Sequence, residues 1–254
     1  MINKTKRCLN CNKELSHIQE IKKCVFCSKG CATSYRQKSH DPDFFSTLDI
    51  SDIFYLCGLI ASDGNISKDY SRITLGLTDD ELIHKIYPFF SDIKKRKIYI
   101  SQKGKYKKFY AIISSNKDSI LKLRKLGITP NKSNTLVFVD ELSSSKYVWS
   151  FIRGYFDGDG CVYLCSQFKK IKYYAVSFTS GSLIFLEKLQ LVLKNFGIHS
   201  TLSIDRRTKD KKDACYYLKI YKQDDVKLFY NYIYSDKSQF FLKRKKEIFD
   251  NNIV

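Results

Sequence analysis

The stretch that decides the fold occurs twice in this chain. Its first copy is Leu56-Cys57-Gly58-Leu59-Ile60-Ala61-Ser62-Asp63-Gly64, and its second copy is Ile152-Arg153-Gly154-Tyr155-Phe156-Asp157-Gly158-Asp159-Gly160. Both copies are apolar runs of helical character that end in Asp-Gly. In each copy a glycine is followed four residues later by a small residue, which puts both on one helix face. Two helices with such faces can bring their backbones into close contact.

The acid at the end of each copy gives this packing a chemical consequence. If the two helices pack on each other, Asp63 and Asp159 arrive side by side at one end of the pair. Two adjacent carboxylates repel each other unless a cation lies between them. The repeated motif therefore predicts a divalent-metal site that takes one acid from each half of the chain.

The charge of the chain indicates the class of its partner. Its 254 residues include 45 Lys and Arg against 26 Asp and Glu, a net charge of +19, and 43% are hydrophobic. The hydrophobic content argues against wholesale disorder, and the excess of positive charge favours a nucleic acid as partner. The alternative is a basic protein without a nucleic-acid role. No long apolar span indicates a membrane protein, and no secretory signal opens the chain, so we expect an intracellular protein.

Residues 1–40 are predicted to form a small zinc-binding segment. They hold five of the nine cysteines of the chain, which without an export signal favours thiols or metal ligands over disulfides. Cys8 and Cys11 have the spacing of one metal-binding pair, and the second pair is either Cys27 with Cys31 or Cys24 with Cys27. The run around 26–32 resembles the second half of small zinc fingers in phage-type endonucleases, which favours Cys27 and Cys31. His17 is an outside candidate, and metal-free thiols are the alternative.

The rest of the chain reads as a linker followed by two repeats. Residues 41–50 have the Pro and polar residues of a linker. We assign the first repeat to 41–143 and the second to 144–254. Each half follows the order αββαββα, with a final helix around 238–250. Helix caps are expected at Ser51 or Asp52 and in the capping box at 78–81. A Lys-Ser pair near the end of each half, at 132–133 and 237–238, is a further shared landmark.

These residues resemble the LAGLIDADG homing endonuclease family over roughly 48–250. The second motif is close to the commonest motif sequence of that family, and the first departs from it at Ala61, where an acid is frequent. The resemblance implies an α+β fold in which two pseudo-symmetric repeats form a saddle over DNA. It also implies a monomer that binds double-stranded DNA at a long asymmetric target site, with the two sheets in the major groove.

The same resemblance assigns roles to residues of the site. Asp63 and Asp159 would hold catalytic Mg²⁺ and cut across the minor groove, with the backbone carbonyls of Ser62 and Gly158 completing the metal shell. Lys132 and Lys237, at matching positions, are candidates for the basic residue that stabilises the charged transition state in each pocket. Asp157 is interpreted as an acid of the helix interface that does not bind the metal.

DNA contacts are expected from the sheets and from their hairpin tips. Strands that alternate apolar with basic and polar residues would give one face to DNA. Basic residues at the tips would hold phosphates and set the salt dependence of binding. The candidates for DNA contact are Lys97, Lys103, Lys105, Lys107, Lys108, Arg206, Arg207, Lys209, Lys211 and Lys212. For any one of these residues, an ordinary solvated surface charge is a more common role than reading a base.

Three functions fit this sequence. The first is a site-specific, metal-dependent double-strand DNA endonuclease. The second is an RNA-binding maturase of the same family that assists intron splicing, and the third is a DNA-binding regulator that does not cut. The presence of both Asp63 and Asp159 favours the first, because a pure binding protein gains nothing from two facing acids. A maturase can retain them.

Overall fold

A computed structural model describes residues 6–8, 11–37, 41–167, 171–208, 214–236 and 238–253. The chain divides into two compact units, Met1–His40 and Asp41–Val254. The first unit holds the short helix α1 (His17–Ile21) and the helix α2 (Lys29–Gln37). Ahead of them, Arg7 and Glu14 form an isolated antiparallel bridge that closes a turn around the first two cysteines. None of the helices in the described ranges has both the length and the apolar content needed to cross a bilayer.

The second unit begins with the elements of the first repeat. They are α3 (Phe44–Thr47), α4 (Ile50–Asp63), β1 (Gly64–Ile66), β2 (Ile73–Leu77), α5 (Asp80–Phe90), β3 (Tyr99–Ser101), β4 (Phe109–Ser114) and α6 (Lys117–Lys125). The four strands form an antiparallel sheet in the order β1-β2-β4-β3. Two short helices, α7 (Lys132–Thr135) and α8 (Asp140–Ser143), then lead to the second repeat.

The second repeat runs through the same order of elements. They are α9 (Val148–Asp159), β5 (Gly160–Gln167), β6 (Ile171–Ser180), α10 (Leu183–Asn195), β7 (Thr201–Ile204), β8 (Tyr216–Ile220), α11 (Gln223–Ile233) and α12 (Lys243–Asn252). Its strands again form an antiparallel four-stranded sheet, in the order β5-β6-β8-β7. The mixed α+β class and the repeated order predicted from the sequence are confirmed.

Each sheet turns one face to the core. In β2, Ile73, Leu75 and Leu77 are buried while the residues between them are partly exposed, which is the period of two expected for a half-buried strand. Few of the residues that alternate with the apolar ones are basic: the strands of the first sheet contain no Lys or Arg, and those of the second contain only Lys172 and Lys219. The alternation is therefore present, but the outward faces are mostly uncharged.

The helices α4 and α9 pack backbone to backbone through their glycines. A Cβ atom on Gly58 would collide with the carbonyl oxygen of Phe151 and lie 2.8 Å from the backbone nitrogen of Tyr155. A Cβ atom on Gly154 would meet Tyr55 and Leu59 in the same way, at 2.8 Å from the Leu59 nitrogen. Real Cβ atoms do not approach backbone atoms so closely, so only glycine fits at these two positions. The close contact inferred from the motif spacing is present.

The segment interpreted as a linker is instead part of the first repeat. Asp41 is buried, and its carboxylate accepts hydrogen bonds from the backbone nitrogens of Asp92 and Ser115 and from Arg96 Nε, at 2.7–2.9 Å. Phe44 is fully buried and stacks on Phe90. The polar residues that suggested a linker are thus used as internal hydrogen-bond acceptors, which composition alone does not reveal.

The helix caps differ in part from those expected. α4 begins at Ile50, so neither Ser51 nor Asp52 caps it, and its end at Gly64 is extended (φ −83°) because that residue enters β1 directly. In the predicted capping box at 78–81 the N-cap residue is Asp79 and not Thr78. The side chain of Asp79 accepts a hydrogen bond from the Leu82 nitrogen at 2.9 Å. At Gly127 and Gly197 the backbone is left-handed (φ 79° at both), as expected where a helix ends.

Residues 238–242, which we name the crossing segment, tie the second repeat to α4 of the first. Asp52 is buried and accepts hydrogen bonds from Ser238 Oγ at 2.5 Å and from the backbone and side-chain nitrogens of Gln239 at 3.1 and 2.9 Å. The ring of Phe240 lies 5.9 Å from that of Tyr55. The predicted cap residue Asp52 therefore holds the two repeats together.

Substituting Gly154 tests the helix packing. We expect Gly154→Ala to destabilise the protein by about 1–3 kcal/mol, because the added methyl forces α4 and α9 apart. The measurement is urea unfolding followed by circular dichroism. Gly30→Ala is the control: it makes the same change in α2, where the nearest atom to the new Cβ is Ser28 Oγ at 3.7 Å, and it should leave the unfolding of residues 41–254 unchanged. An unaltered midpoint in Gly154→Ala would contradict the close packing.

Candidate active site and nucleic-acid interface

The packing of α4 and α9 brings the two motif acids together. Each acid is the last residue of its helix, and a Cβ atom on Gly158 would lie 3.0 Å from Asp63 Oδ2, so the end of α9 lies against this carboxylate. The charge of Asp159 acts on Asp63 and raises its pKa. Asp63 and Asp159 therefore share one end of the helix pair, as the sequence predicted.

Both acids are exposed to solvent at their helix ends, yet the surrounding protein desolvates the two carboxylates enough to raise their pKa values. Desolvation is the main cause that raises the pKa of Asp63 to about 6, and the charge of Asp159 adds to it. Desolvation also raises the pKa of Asp159. The positive charges of Lys132 and Lys245 oppose the shift at both acids. Two adjacent carboxylates that are partly desolvated and only partly neutralised by nearby lysines form a site that favours a bound cation.

Lys132, the basic residue predicted for the first repeat, lies in this site. It is the first residue of α7 and is buried, and its Nζ donates a hydrogen bond to the carbonyl oxygen of Ser62 at 2.5 Å. Burial lowers its pKa, while the charges of Asp159 and Asp63 act in the opposite direction. Its predicted counterpart, Lys237, lies outside the described residues.

The structure supplies a lysine that sequence reasoning missed. Lys245, in the first turn of α12, is buried, and its Nζ donates hydrogen bonds to the carbonyl oxygens of Phe156, Asp157 and Gly160 at 2.5, 2.8 and 2.6 Å. Burial lowers its pKa to about 8. A lysine suits the carbonyl-rich end of a helix. The signal available in the sequence was the basic run at 243–246 with the apolar Phe249 four residues after Lys245, but such runs are common on exposed helices.

Two clefts of similar size flank the paired acids. One, of about 180 Å³, is lined by residues that include Ser62, Lys132, Tyr155, Asp159 and Thr179. Each cleft combines the acid of one motif with the residue that precedes the acid in the other motif. The pseudo-symmetric arrangement thus provides two matched pockets.

The second cleft, of about 230 Å³, is lined by residues that include Asp63, Thr78, Asp157, Gly158 and Arg244. Arg244 is exposed, whereas the basic residue of the first cleft, Lys132, is buried. The two pockets therefore each contain one motif aspartate, but the basic side chain is buried in the first and exposed in the second.

The donor set of this site fits a divalent cation. Among the described residues, none donates a hydrogen bond to the carboxylate of Asp63, so its oxygens keep their lone pairs. Carboxylate and carbonyl oxygens are the ligands that Mg²⁺ prefers. The Ser62 carbonyl accepts one hydrogen bond, from Lys132, and an oxygen of this kind has a second lone pair. Asp63 and Asp159, with the carbonyls of Ser62 and Gly158 beside them, could hold the ion.

Asp157 is used differently from its two acidic neighbours. It is buried in the helix interface, where its Oδ2 accepts hydrogen bonds from the Tyr55 hydroxyl and the Leu242 backbone nitrogen, each at 2.8 Å. Burial raises the pKa of this carboxyl. Its bonds join α4, α9 and the crossing segment, in agreement with its interpretation as an interface acid.

The predicted basic tips divide into exposed and partnered residues. In the first hairpin Gly104 turns with φ 58°, and Lys97, Lys103, Lys105, Lys107 and Lys108 are all exposed around it. In the second hairpin Arg206 is exposed, but Arg207 donates to Asp205 through Nε at 3.1 Å and Nη2 at 2.7 Å. Lys209, Lys211 and Lys212 lie outside the described residues.

The N-terminal unit gathers four of its cysteines into one cluster. The sulfur atoms of Cys8, Cys11, Cys27 and Cys31 all lie within 4.8 Å of one another, and Cys24 is not among them. Hydrogen bonds from Cys31 and Cys11 raise the pKa of the Cys27 thiol to about 12. Four crowded sulfurs can all become thiolates only with a cation between them, and four thiolates are a common ligand set for structural zinc. The cluster thus fits Zn²⁺.

Two curated proteins match part of this chain. It is 31% identical over 156 residues to the reverse gyrase of Methanocaldococcus jannaschii, and 25% identical over 191 residues to a probable translation initiation factor IF-2 of the same organism. These matches cover 60% and 73% of this chain, but only 9% and 15% of those proteins. The chain therefore spans a small part of either relative.

Solved structures give a match over most of the chain. The homing endonuclease I-WcaI, solved bound to its DNA recognition sequence, has a TM-score of 0.55 at 16% identity and is matched over 87% of this chain and 92% of that one. I-DmoI, solved in complex with DNA and Ca, has a TM-score of 0.50 at 19% identity, over 79% and 98%. At these identities the likeness establishes the fold.

A family profile makes the assignment specific. The profile described as "LAGLIDADG-like domain" matches residues 146–234, which include the second motif and its sheet. Residues 146–234 are thus a LAGLIDADG-like domain, and the chain has the fold of the LAGLIDADG homing endonucleases, as its two Asp-Gly motifs predicted.

Proposed function

We propose that this protein is a site-specific endonuclease that hydrolyses both strands of a DNA duplex with the help of Mg²⁺. The observation that carries the proposal is the pair of motif acids, Asp63 and Asp159, which two helix ends hold beside each other, exposed to solvent and with lysines around them. A net charge of +19 supports a polyanionic substrate. Because one chain supplies both acids, the active species is a monomer.

The residues of the site divide the chemistry between them. Asp63 and Asp159 bind the metal, with the carbonyls of Ser62 and Gly158 as further ligands. Bound Mg²⁺ lowers the pKa of a water molecule and neutralises charge on the leaving oxygen. Lys132, whose Nζ lies at the Ser62 carbonyl, adds positive charge beside the phosphate in one cleft.

The second cleft uses two basic residues of α12 in a comparable way. Arg244 lines this cleft beside Asp63 and is exposed, so it can reach a bound phosphate. Lys245 keeps the end of α9 in place through its three carbonyl contacts, and its charge lowers the pKa of Asp63. Lys237, predicted from the matching Lys-Ser pairs, stays a candidate for the same pocket.

The hairpin tips are proposed to hold the DNA backbone. Exposed lysines around a turn suit phosphate contacts, which fix register and make binding sensitive to salt. The proposed contacts are Lys97, Lys103, Lys105, Lys107, Lys108, Arg206, Arg207, Lys209, Lys211 and Lys212. Two sheets of different sequence, one on each half of the duplex, would define a long asymmetric target.

Two further features complete the proposal. Cys8, Cys11, Cys27 and Cys31 bind one structural zinc ion in the N-terminal unit, and basic residues around it offer an additional DNA contact. The repeats at 41–143 and 144–254 act as the two halves of the DNA-binding unit. The partial matches to two larger proteins of different names support a module that occurs within unrelated proteins.

Replacing each acid tests the catalytic assignment. We expect Asp63→Asn and Asp159→Asn each to reduce cleavage of a random-site plasmid library in Mg²⁺ by at least about a hundredfold, while both variants still bind the sites that the wild type selects. Asp140→Asn is the matched control, because it removes the charge of an exposed acid paired with Lys188. Full activity in either variant would remove that acid from the site.

The same assay separates the three candidate functions. Cutting at a defined sequence supports the endonuclease. If the wild type cuts no site in the library and instead binds intron RNA tightly, the protein acts as a maturase. Selective DNA binding without cutting would identify a regulator.

The stability of the metal-free protein should depend on pH through Asp63. The folded state holds the proton of this carboxyl more tightly than the unfolded chain, since its folded pKa is raised to about 6. Stability from this group therefore falls as pH rises from about 4 through 6, and the loss is complete above that range. We expect Asp63→Asn to be more stable than the wild type at about pH 8, with a gap that closes toward about pH 4, by urea unfolding in a chelator. A gap that does not change with pH would contradict the shift.

Cysteine variants test the zinc site. We expect about one zinc ion per chain by elemental analysis, and Cys11→Ser should lose most of it because three thiolates bind zinc less well than four. Cys24→Ser is the control, since Cys24 lies outside the four-sulfur cluster, and it should keep its zinc. The assignment would be overturned if the wild-type protein contained no zinc and a chelator left its fold unchanged.

A further inference from the structure

A buried hydroxyl group lies beside the acid of the first cleft. Tyr155 precedes Asp159 by one turn of α9, and both residues line this cleft together with Thr179. The Tyr155 hydroxyl donates a hydrogen bond to the carbonyl oxygen of Thr179 at 2.9 Å. The side chain is buried, and its ring packs on that of Phe185 with the centroids 4.6 Å apart. The hydroxyl is therefore held at the wall of the cleft by a side chain with little freedom to move.

Asp159 lies within hydrogen-bonding reach of the same hydroxyl. The two residues are four apart, so their side chains lie on one face of α9. Desolvation raises the pKa of Asp159, and nearby lysines and a hydrogen bond with Tyr155 oppose that shift. A phenol has a single hydrogen to donate. Rotation about its C–O bond is enough to move that hydrogen from the Thr179 carbonyl to the carboxylate.

The second cleft has no such hydroxyl on its motif helix. Tyr155 is the residue after Gly154, and the residue after Gly58 in the other motif is Leu59. Leu59 is fully buried in α4 and has no polar side-chain atom. Among the described residues, no side chain donates a hydrogen bond to the carboxylate of Asp63. The two motif acids therefore differ in the side chain one turn before them, which is a phenol in one helix and an alkyl group in the other.

The strand beside each cleft differs in the same sense. The glycines that follow the two acids pair with Leu75 in the first repeat and with Phe178 in the second. The next residue is Gly76, which lines the second cleft, or Thr179, which lines the first. The ring of Phe109 covers Gly76, where a Cβ atom would lie 3.0 Å from two of the ring carbons. At matched places the second cleft is thus lined by a phenyl ring and the first by a carbonyl that holds a hydroxyl.

We propose that Tyr155 is a positioning residue for Asp159: its hydroxyl donates to one carboxylate oxygen and leaves the other directed at a metal ion in the first cleft. This inference rests on the proposed metal-dependent cleavage. Carboxylates that bind metals are commonly held by such a hydrogen bond, and its loss typically costs about tenfold to a hundredfold in metal affinity or activity. Only the first cleft has this support, so the effect falls on the strand that is cut there.

The test is Tyr155→Phe, which removes the hydroxyl and keeps the ring. Nicking of each strand is followed separately, on a duplex that the wild type selects, over a range of Mg²⁺ concentrations. We expect one strand to need about tenfold to a hundredfold more Mg²⁺ for its half-maximal rate, with the maximal rate restored at saturation and the other strand unchanged. Tyr87→Phe is the matched control, because its hydroxyl donates to the Arg96 carbonyl at 2.6 Å, away from both clefts, and neither strand should respond.

Metal binding is also measured without cleavage, by titrating each protein with Mn²⁺ in the absence of DNA and following it by electron paramagnetic resonance. The Mn²⁺ binding that Asp159→Asn removes identifies the site at the paired acids. We expect Tyr155→Phe to bind Mn²⁺ there at least about tenfold more weakly than the wild type, and Tyr87→Phe to bind it as the wild type does. Urea unfolding of both variants shows that each is folded under the conditions of the titration.

The outcomes separate this inference from the proposed function. If Tyr155→Phe binds Mn²⁺ and nicks both strands as the wild type does, the hydroxyl only supports the fold and the inference is wrong, while the endonuclease stands. The inference is also wrong if both strands slow equally at every Mg²⁺ concentration. If the wild type cuts no duplex, the proposed function fails, and the Mn²⁺ titration still decides whether Tyr155 positions Asp159. A wild type that neither cuts DNA nor binds Mn²⁺ overturns both.

Discussion

The backbone contact between α4 and α9 is the constraint on which the rest of the structure depends. Gly58 and Gly154 remove the side chains that would hold the helices apart, so the two helix ends meet. Because each helix ends in an aspartate, the contact delivers Asp63 and Asp159 to one end of the helix pair, where both remain exposed to solvent. Partial desolvation by the surrounding protein raises the pKa values of both carboxyls. The same two sequence motifs therefore determine both the packing of the helices and the position of the acids.

The support around the acids is less symmetric than the acids themselves. Lys132 reaches the end of α4 from α7, late in the first repeat, whereas Lys245 reaches the end of α9 from α12, beyond the crossing segment. Through Asp52 and Asp157 the crossing segment also binds both motif helices. The C-terminal part of the chain thus positions the pocket as well as closing the fold.

The sequence predicted the features that follow from local pattern. The repeated motif gave the helix pair and its acids, strand alternation gave the sheets, and the spacing of Cys8, Cys11, Cys27 and Cys31 matched the observed cluster. The features it missed depend on distant partners. Asp41 and Asp52 look like ordinary polar residues until Arg96 and Gln239 are placed beside them in space.

Lys245 illustrates the same limit at the candidate site. It belongs to a chain with 45 basic residues, and nothing local distinguishes a lysine buried beneath a helix end from the rest. Which lysine reaches the paired acids is decided by tertiary packing.

The central claim is that Asp63 and Asp159 together form one divalent-metal site at the end of the helix pair. The most direct measurement is anomalous X-ray diffraction from crystals of the protein grown with Mn²⁺ and DNA. We predict an anomalous peak within metal–oxygen bonding distance of a carboxylate oxygen of each aspartate. Ordered density in which the two carboxylates point to opposite sides of the molecule, or a metal bound elsewhere with both aspartates uncoordinated, would contradict it.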